Sequence, residues 1–223
     1  MDKKQENQRR AFLKKSALAG ASLAFAGAGN PAAGHAAFTR TSPSSPGLLK
    51  VGILTTRGGH ITSIWGPLIN PTDGKTRVTG MVMTHAWDID TGSLDAFCEK
   101  YDVEKVSRYD GMIGKVDAIV MADFESLHWN QDLVRPYLES GVPIFINRPF
   151  ASSLKNARDM IETARRHGTP IMCGSSLEYV QAVDSVRTAI PGLGELTGFV
   201  ADNAMSDYAT HGVHGIYFVH ACV

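Results

Sequence analysis

The sequence predicts an α/β fold in which helices cover both faces of a doubly wound, parallel sheet. Short apolar runs alternate along the chain with helical segments, and apolar runs of this kind are typical of strands that are buried on both faces. Right-handed crossovers between parallel strands then produce the doubly wound arrangement. Sheets of this kind bind their ligands at the carboxyl ends of the strands.

Strands and helices alternate from residue 48 onward. The helices are recognised by apolar residues at helical spacing, such as Leu94, Phe97 and Tyr101. Strands are predicted at 48–54, 77–84, 116–122, 142–147 and 169–174. Helices are predicted around Leu94–Tyr101, at about 127–140 and at 152–168, the last with a serine N-cap and Gly168 just past its end.

The alternating pattern changes after residue 175. A helix is predicted at 177–190, a turn at 191–196 and the beginning of a strand at 196–202. The segment around His214 has a loop-like pattern. The chain then ends at Val223 without enough residues for a second domain, and we therefore expect a C-terminally truncated sequence.

The N-terminal 36 residues differ in composition from the rest of the chain. Arg9 and Arg10 precede an uncharged run over 16–29, and Gly34 and Ala36 occupy the −3 and −1 positions of a possible cleavage site. The run is too short to span ~30 Å of hydrocarbon. This pattern resembles a twin-arginine export signal, and a disordered basic tail is the alternative.

We therefore predict a signal peptide at 1–36 and a Ser/Pro/Thr-rich linker at 37–47. The expected partner of the leader is the twin-arginine export machinery. The mature protein is expected in the periplasm or outside the cell, with no stable membrane span.

Charge and cysteine content exclude several classes of protein. Lys+Arg and Asp+Glu are balanced at 22 each, but the first 36 residues hold six bases and two acids, so the remainder carries a net charge of −4. This bias argues against nucleic acid as a partner. Three cysteines are too few for a disulfide framework, and Cys98 and Cys173 are predicted to be small core residues. His211 and His214 have no carboxylate between them, and we predict no metal site.

The stretch IFINRPF places polar side chains at a predicted strand end. Asn147 and Arg148 follow three apolar residues, and Pro149 biases the residue before it towards extended geometry. The arginine is therefore expected to point into the ligand crevice, where its fork suits a carboxylate or phosphate. A salt bridge at the edge of the sheet is the alternative role for Arg148.

Three segments, in this order, resemble the glucose-fructose oxidoreductase / inositol dehydrogenase (Gfo/Idh/MocA) family. They are VDAIVMADFESLHWNQDLVRPYLESG, SGVPIFINRPFASSLKNARDMIETARRHGTPIMCG and HGVHGIYF. The second resembles the family's strand, Glu-Lys-Pro and helix, and the third its Asp-x-Gly-x-His motif. The resemblance implies a Rossmann-type dinucleotide-binding domain at 48–175. It also implies the start of an incomplete C-terminal substrate domain, an α+β open mixed sheet, at 176–223.

The chain departs from the family at the cofactor loop. Thr55, Arg57 and His60 stand at the three glycine positions of GxGxxG, although Gly58 and Gly59 keep the turn flexible. The usual acidic residue at the end of the second strand has no clean equivalent, because MTHAWDID presents Thr and His before Asp88. Both departures weaken the inference of cofactor binding.

The resemblance implies particular roles for individual residues. Arg148 takes the place of the Glu-Lys-Pro lysine, and it would orient and polarise a substrate oxygen without acting as a general base. His214 would accept a proton, although Thr210 replaces the family's aspartate. His128 is either a cofactor-side residue or a helix-start residue in solvent. The expected cofactor-binding residues are Thr55, Arg57, Gly58, Asp123, His128, Asn147 and Arg148.

The function that the resemblance implies is an exported oxidoreductase that uses NAD or NADP on a sugar, polyol or related compound. The expected partner is thus a small sugar-like substrate, with a homo-oligomer as a possible assembly. The alternative is a family-derived sugar-binding or non-redox protein without ordinary NAD(P) turnover. It is favoured by the missing glycine fingerprint, by Arg148 in place of the lysine and by Thr210 in place of the aspartate.

Overall fold

Six parallel strands form the sheet at the centre of the structure. The computed structural model describes residues 47–122, 127–201 and 211–223. The strands are β1 (Leu49–Leu54), β2 (Met81–Trp87), β3 (Glu104–Lys105), β4 (Ala118–Met121), β5 (Ile144–Asn147) and β6 (Ile171–Gly174). Their order across the sheet is β3-β2-β1-β4-β5-β6, and all pairs are parallel. The predicted doubly wound sheet is confirmed, with its topological switch point between β1 and β4.

Helices connect the strands. A π-helical turn, Ile61–Trp65, continues into α1 (Gly66–Ile69). The other helices are α2 (Thr91–Tyr101), α3 (Asn130–Ser140), α4 (Leu154–His167), α5 (Gln181–Ala189) and α6 (Val213–Cys222). Short 3₁₀ turns occur at Leu127–Trp129, Ser176–Tyr179 and Ile190–Gly192.

Side-chain caps fix where the long helices begin. The Asp90 carboxylate accepts a hydrogen bond from Ser93 N at 2.9 Å at the start of α2. Ser153 Oγ accepts one from Asn156 N at 3.1 Å at the start of α4. Each cap satisfies a backbone N–H that has no partner within the helix. α4 ends at Gly168, which has a φ of 66°, a conformation that glycine adopts without steric cost.

Alternate residues of β1 supply two different cores. Val51 and Ile53 belong to a cluster that α1 and α2 cover, and Leu54 belongs to a second cluster with α3 and α4. Side chains that alternate between the two faces of a strand require apolar neighbours on both faces. The helices that follow β1 and β2 therefore pack on one face of the sheet, and those that follow β4 and β5 pack on the other.

Three predictions of secondary structure are wrong. β2 covers 81–87 rather than 77–84, because Arg77 holds the preceding loop through Asp73 and Gly80 has a φ of 87°. Residues 196–201 form no strand, since this exposed stretch has no neighbouring strand to pair with among the described residues. The segment around His214 is helical rather than loop-like, because its Tyr217 face contacts β6.

The second predicted domain boundary, near residue 175, stays a prediction. The described residues all fall within one unit of contacts, 41–223. Cys98 and Cys222 are buried, Cys173 is partly buried, and all three are free thiols. Within the described ranges, no helix combines the length and the apolar character that crossing a membrane requires.

We expect Gly66→Ala to lower the free energy of unfolding by about 1–3 kcal/mol through overpacking. A Cβ at residue 66 would lie 2.7 Å from Cε2 of Tyr101. That ring is buried and pinned by a hydrogen bond from its hydroxyl to Thr62 O at 3.1 Å, so it has little room to move. Urea unfolding followed by circular dichroism would measure the loss.

The matched control for this substitution is Gly59→Ala, because a Cβ at that position meets nothing within 4 Å. It should stay within about 0.5 kcal/mol of the wild type. Equal stability of the two variants would contradict the packing argument.

Candidate active site

A buried carboxylate organises the loop that follows β1. Asp88 comes directly after β2, and its Oδ2 accepts hydrogen bonds from Thr56 N at 2.6 Å and Arg57 N at 3.1 Å. The Thr56 hydroxyl donates to the same oxygen at 3.2 Å. Asp88 Oδ1 accepts from Asp90 N at 2.9 Å and lies 3.2 Å from Arg57 Nε. Hydrogen bonds to a charged acceptor are the stronger kind, so Asp88 ties the β1 loop to the end of β2.

The sequence analysis missed this role because it ended the second strand too early. With β2 extending to Trp87, Asp88 is the acidic residue at the strand's carboxyl end. The prediction that this position has no clean acidic equivalent is therefore wrong. The signal in MTHAWDID was the apolar pair Ala86 and Trp87, which continues the strand past the polar Thr84 and His85.

Thr55 replaces the first glycine of the fingerprint and adopts that glycine's backbone conformation. Its φ is 75°, which costs a β-branched residue on the order of 1–3 kcal/mol. Thr55 N donates to Trp87 O at 2.8 Å, and the residue is buried. Its side chain therefore lies in the core behind the loop.

A cavity of about 530 Å³ opens beside the β1 loop. The loop contributes Thr56, Arg57, Gly58 and Gly59 to its wall, and α2 contributes Lys100 among others. Gly58 has a φ of 90°, and a Cβ at Gly59 would meet nothing within 4 Å. An open glycine loop with basic side chains suits a phosphate. The residues present thus fit the phosphate and adenosine half of a dinucleotide.

His60, at the third glycine position, connects the β1 loop to the end of β5. Its Nδ1 lies 2.7 Å from Asn147 Nδ2, and its Nε2 lies 3.2 Å from Arg148 Nη2. Asn147 Nδ2 also donates to Ala122 O, just past β4, at 3.3 Å. The imidazole therefore bridges the crevice between the carboxyl ends of β1 and β5. The sequence analysis did not give His60 a role of this kind.

Arg148 follows β5 and is buried, with 3% of its surface exposed. The positive charge of Arg148 lowers the pKa of His214 in α6. The His214 Nδ1 lies 2.5 Å from Ser175 Oγ, just past β6. The rings of His211 and His214 are 6.4 Å apart. Three imidazoles and one guanidinium therefore converge on one end of the sheet.

Burial and mutual repulsion keep two of these imidazoles neutral. Desolvation lowers the pKa of His60, and the charges of Arg148 and His211 lower it further. Desolvation also lowers the pKa of His214, and Arg148, His211 and His60 add to the effect. A neutral imidazole near neutral pH is able to accept a proton.

The predicted cofactor-binding residues are distributed unevenly. Arg57 and Gly58 line the cavity, and Asn147 and Arg148 border the crevice at β5. His128 is exposed on the 3₁₀ turn before α3. Asp123 and Thr210 lie outside the described residues.

A sheet with this strand order and a ligand crevice at its switch point defines a protein of the dinucleotide-binding class. The family model described as an oxidoreductase family with an NAD-binding Rossmann fold, GFO_IDH_MocA, matches residues 23–175. That match covers more than half of the chain, which therefore belongs to this family.

Individual relatives are more distant. D-apiose dehydrogenase of Paraburkholderia graminis is 28% identical over 120 residues, which are 48% of this chain and 32% of that protein. An Agrobacterium radiobacter oxidoreductase in complex with NAD+, L-tartaric acid and magnesium superposes with a TM-score of 0.57 at 16% identity, covering 77% of this chain and 54% of that one. Scyllo-inositol dehydrogenase of Lactobacillus casei with NAD(H) and scyllo-inositol superposes with a TM-score of 0.56 at 16% identity. The superposition covers 67% of this chain and 43% of that one.

The chain therefore spans about a third of the curated dehydrogenase it matches and about half of each solved structure. At sequence identities this low, the superpositions on the solved structures establish a common fold. They agree with the sheet order described above.

We expect the protein to lose stability as the pH falls from about 7.5 to 5. The folded-state pKa values of His60 and His214 are lowered, so the unfolded chain takes up protons first, near pH 6.5. Stability is then lost as the pH falls through that value towards the lower folded pKa values. Thermal unfolding across this range would measure the slope.

Replacing both imidazoles, in His60→Asn/His214→Asn, should flatten this slope. The control is His128→Asn, which removes an exposed imidazole from the 3₁₀ turn. His85, whose pKa burial also lowers, contributes equally to every variant. A double variant with the wild-type slope would contradict the assignment.

Proposed function

We propose that the protein is an NAD(P)-dependent oxidoreductase that acts on a sugar, polyol or related small molecule. The observation that carries the proposal is the cluster at the carboxyl end of the sheet, where Arg148 after β5 lies 3.2 Å from His60 of the β1 loop and His214 contacts Ser175 after β6. Ligands of doubly wound sheets bind at this end. Family membership supports the reaction class, and the similarity to D-apiose dehydrogenase and scyllo-inositol dehydrogenase supports the substrate class.

The dinucleotide would be held mainly by the β1 loop. Gly58 and Gly59 offer backbone N–H groups at the start of a helical segment, and Arg57 offers a cation. Asn147 would contact the portion nearer β5. When bound, the cofactor supplies a hydride donor or acceptor.

Arg148 would orient and polarise the reacting oxygen of the substrate. Its guanidinium stays charged throughout the working pH range, so it can stabilise an alkoxide but cannot exchange the proton. Its burial strengthens that electrostatic effect. The role therefore differs from that of a lysine, which is able to titrate.

His214 would accept the proton of the substrate hydroxyl. This role requires Nδ1–H to donate to Ser175 Oγ, so that Nε2 is the acceptor. Ser175 Oγ also accepts from Leu177 N at 3.2 Å, which fixes the serine rotamer and with it the ring. The lowered pKa of His214 agrees with a neutral base in the resting protein.

A second candidate is a family-derived sugar-binding or non-redox protein. The contacts of His60 with Asn147 and Arg148 favour it, because the imidazole lies across the crevice between β1 and β5. Ordinary turnover would require that the ring move aside or share the crevice with the nicotinamide half of the cofactor. A sugar-binding protein would need neither.

The activity test incubates the full chain with NAD or NADP and a panel of sugars and polyols, and follows the near-ultraviolet absorbance of the reduced nicotinamide. We expect His214→Asn to lower kcat with little change in KM, and Arg148→Ala to weaken substrate binding by on the order of 1–3 kcal/mol. Arg148→Lys should retain part of that binding. Sugar binding by calorimetry without turnover of either cofactor would favour the second candidate.

We further propose that the chain is exported by the twin-arginine route to the periplasm or the cell exterior. The Arg9–Arg10 pair, the uncharged run and the small residues at 34 and 36 support the export proposal.

Arg9→Lys/Arg10→Lys should abolish export while preserving charge. Cell fractionation with an antibody against the chain would measure the distribution between cytoplasm and envelope. Lys14→Arg/Lys15→Arg, which keeps both residues basic and lies outside the pair, is the matched control. Normal export of the Arg9/Arg10 variant would reject the twin-arginine route.

A further inference from the structure

A second polar contact, besides that of His214, joins α6 to β6. The Tyr217 hydroxyl lies 3.2 Å from the Cys173 sulfur, and a thiol is both a weak donor and a weak acceptor. We propose that Cys173 and Tyr217 are positioning residues, whose contact fixes α6 so that the His214 imidazole keeps its place at the carboxyl end of the sheet. This inference rests on the proposed function, in which His214 is the proton acceptor.

The two contacts together set the direction of α6. Cys173 and Ser175 are two residues apart in extended backbone, so their side chains point to the same side of the chain. His214 and Tyr217 are three residues apart and lie on the same face of the helix. Ser175 contacts His214 and Cys173 contacts Tyr217, so the helix runs antiparallel to the strand. A helix held by one such contact could pivot about it, whereas two contacts fix its course.

The first turn of α6 needs support from outside the helix. His214 is the second residue of α6, and the N-cap position is Gly212, which has no side chain to cap the free N–H groups. Within the helix, which is described over its whole length, only the last residue, Cys222, is buried. The Tyr217 contact therefore supplies a constraint near His214 that neither capping nor deep burial provides.

The register of the sheet explains why the position of α6 matters for the chemistry. β5 pairs with β6 through Asn147 and Gly174, so the residues that follow them, Arg148 and Ser175, leave the sheet at the same level. A shift of α6 along this edge would displace the His214 ring relative to Arg148. A misplacement of about 1 Å can lower a rate on the order of 100-fold.

Both groups of the contact stay protonated near neutral pH. Burial raises the pKa of the Tyr217 hydroxyl, and the contact with Cys173 raises it further. Burial also raises the pKa of the Cys173 thiol. The contact therefore joins two neutral groups, and neither is a base near neutral pH. Orienting α6 suits these groups, whereas accepting a proton does not.

The first experiment observes the His214 ring directly and needs no substrate. The full chain carries ¹⁵N-labelled histidine, and long-range NMR correlations report the tautomer and the pKa of each ring, with His214→Asn to assign the signals. We expect Nδ1–H in the wild type, because that atom faces Ser175 Oγ. Tyr217→Phe keeps the aromatic ring and removes the hydroxyl. We expect a mixture of tautomers in this variant and a pKa that rises towards that of a solvated imidazole, about 6.5.

Variants of Cys173 show whether the contact itself is responsible. Cys173→Ala should shift the tautomer and pKa of His214 in the same direction, and Cys173→Ser, which keeps a hydrogen-bonding group, should retain part of the wild-type behaviour. Tyr217→Phe/Cys173→Ala should match the stronger single variant, because both substitutions remove one contact. The control is Tyr179→Phe, in the 3₁₀ turn after β6, where the tyrosine is 62% exposed. It should leave His214 unchanged.

The second experiment measures kinetics with the sugar or polyol that the wild-type chain turns over fastest in the panel described above. We expect Tyr217→Phe to lower kcat by about tenfold with little change in KM. This loss should be smaller than that of His214→Asn, because the base itself remains. Circular dichroism should show an unchanged fold.

Three outcomes would overturn the inference. A wild-type tautomer and pKa for His214 in Tyr217→Phe, with turnover intact, would reject it and leave the proposed function standing. Additive effects of the two substitutions would show that Cys173 and Tyr217 act separately. A loss of kcat as large as that of His214→Asn would assign the Tyr217 hydroxyl to the chemistry rather than to positioning. Absence of turnover in the wild type would instead reject the proposed function, while the NMR measurement still decides the role of the contact.

Discussion

The buried carboxylate of Asp88 is the constraint on which the cofactor side of the site depends. It holds two successive backbone N–H groups and one guanidinium of the β1 loop at the end of a neighbouring strand. A loop with a threonine at a positive φ would otherwise favour a different path. The loop is therefore shaped before any ligand arrives, and binding costs little conformational entropy there. In a glycine-rich fingerprint, small residues shape this loop and an acidic residue binds the ribose. Here the acidic residue, Asp88, shapes the loop.

The other half of the crevice depends on contacts between distant parts of the chain. His60 reaches the end of β5, and Ser175 past β6 holds His214 of α6. These side chains bring together a permanent cation and imidazoles whose pKa values are lowered. A permanent cation beside neutral imidazoles favours a site that receives an anion or a developing alkoxide. The two halves of the crevice therefore differ in chemistry: a glycine-containing loop with Arg57 forms one, and imidazoles beside a buried guanidinium form the other.

Local sequence patterns were enough to predict the sheet, the long helices and the two caps of α4. Apolar runs and helical spacing are properties of neighbouring residues, and β1, α2 and α4 follow them closely. The end of β2 was not predictable in the same way, because Thr84 and His85 are polar residues within a strand. The roles of Asp88 and His60 arise from contacts over more than thirty and eighty residues respectively, and no local pattern encodes such contacts. The strand expected at 196–202 shows the converse, because its described residues, 196–201, have an apolar pattern but no neighbouring strand within the described ranges.

The brevity of β3 has a consequence for the protein in concentrated solution. This outermost strand has two residues, Glu104 and Lys105, and both are exposed and charged. Lys105 pairs with Asp95, and Glu104 lies 3.5 Å from Lys115. A long, flat, apolar edge strand exposes backbone groups that can pair with another extended chain. A two-residue edge strand with charged side chains offers an added strand very few backbone hydrogen bonds. The β3 edge of the sheet is thus protected against edge-to-edge aggregation, and a homo-oligomer should not form by strand pairing at that edge.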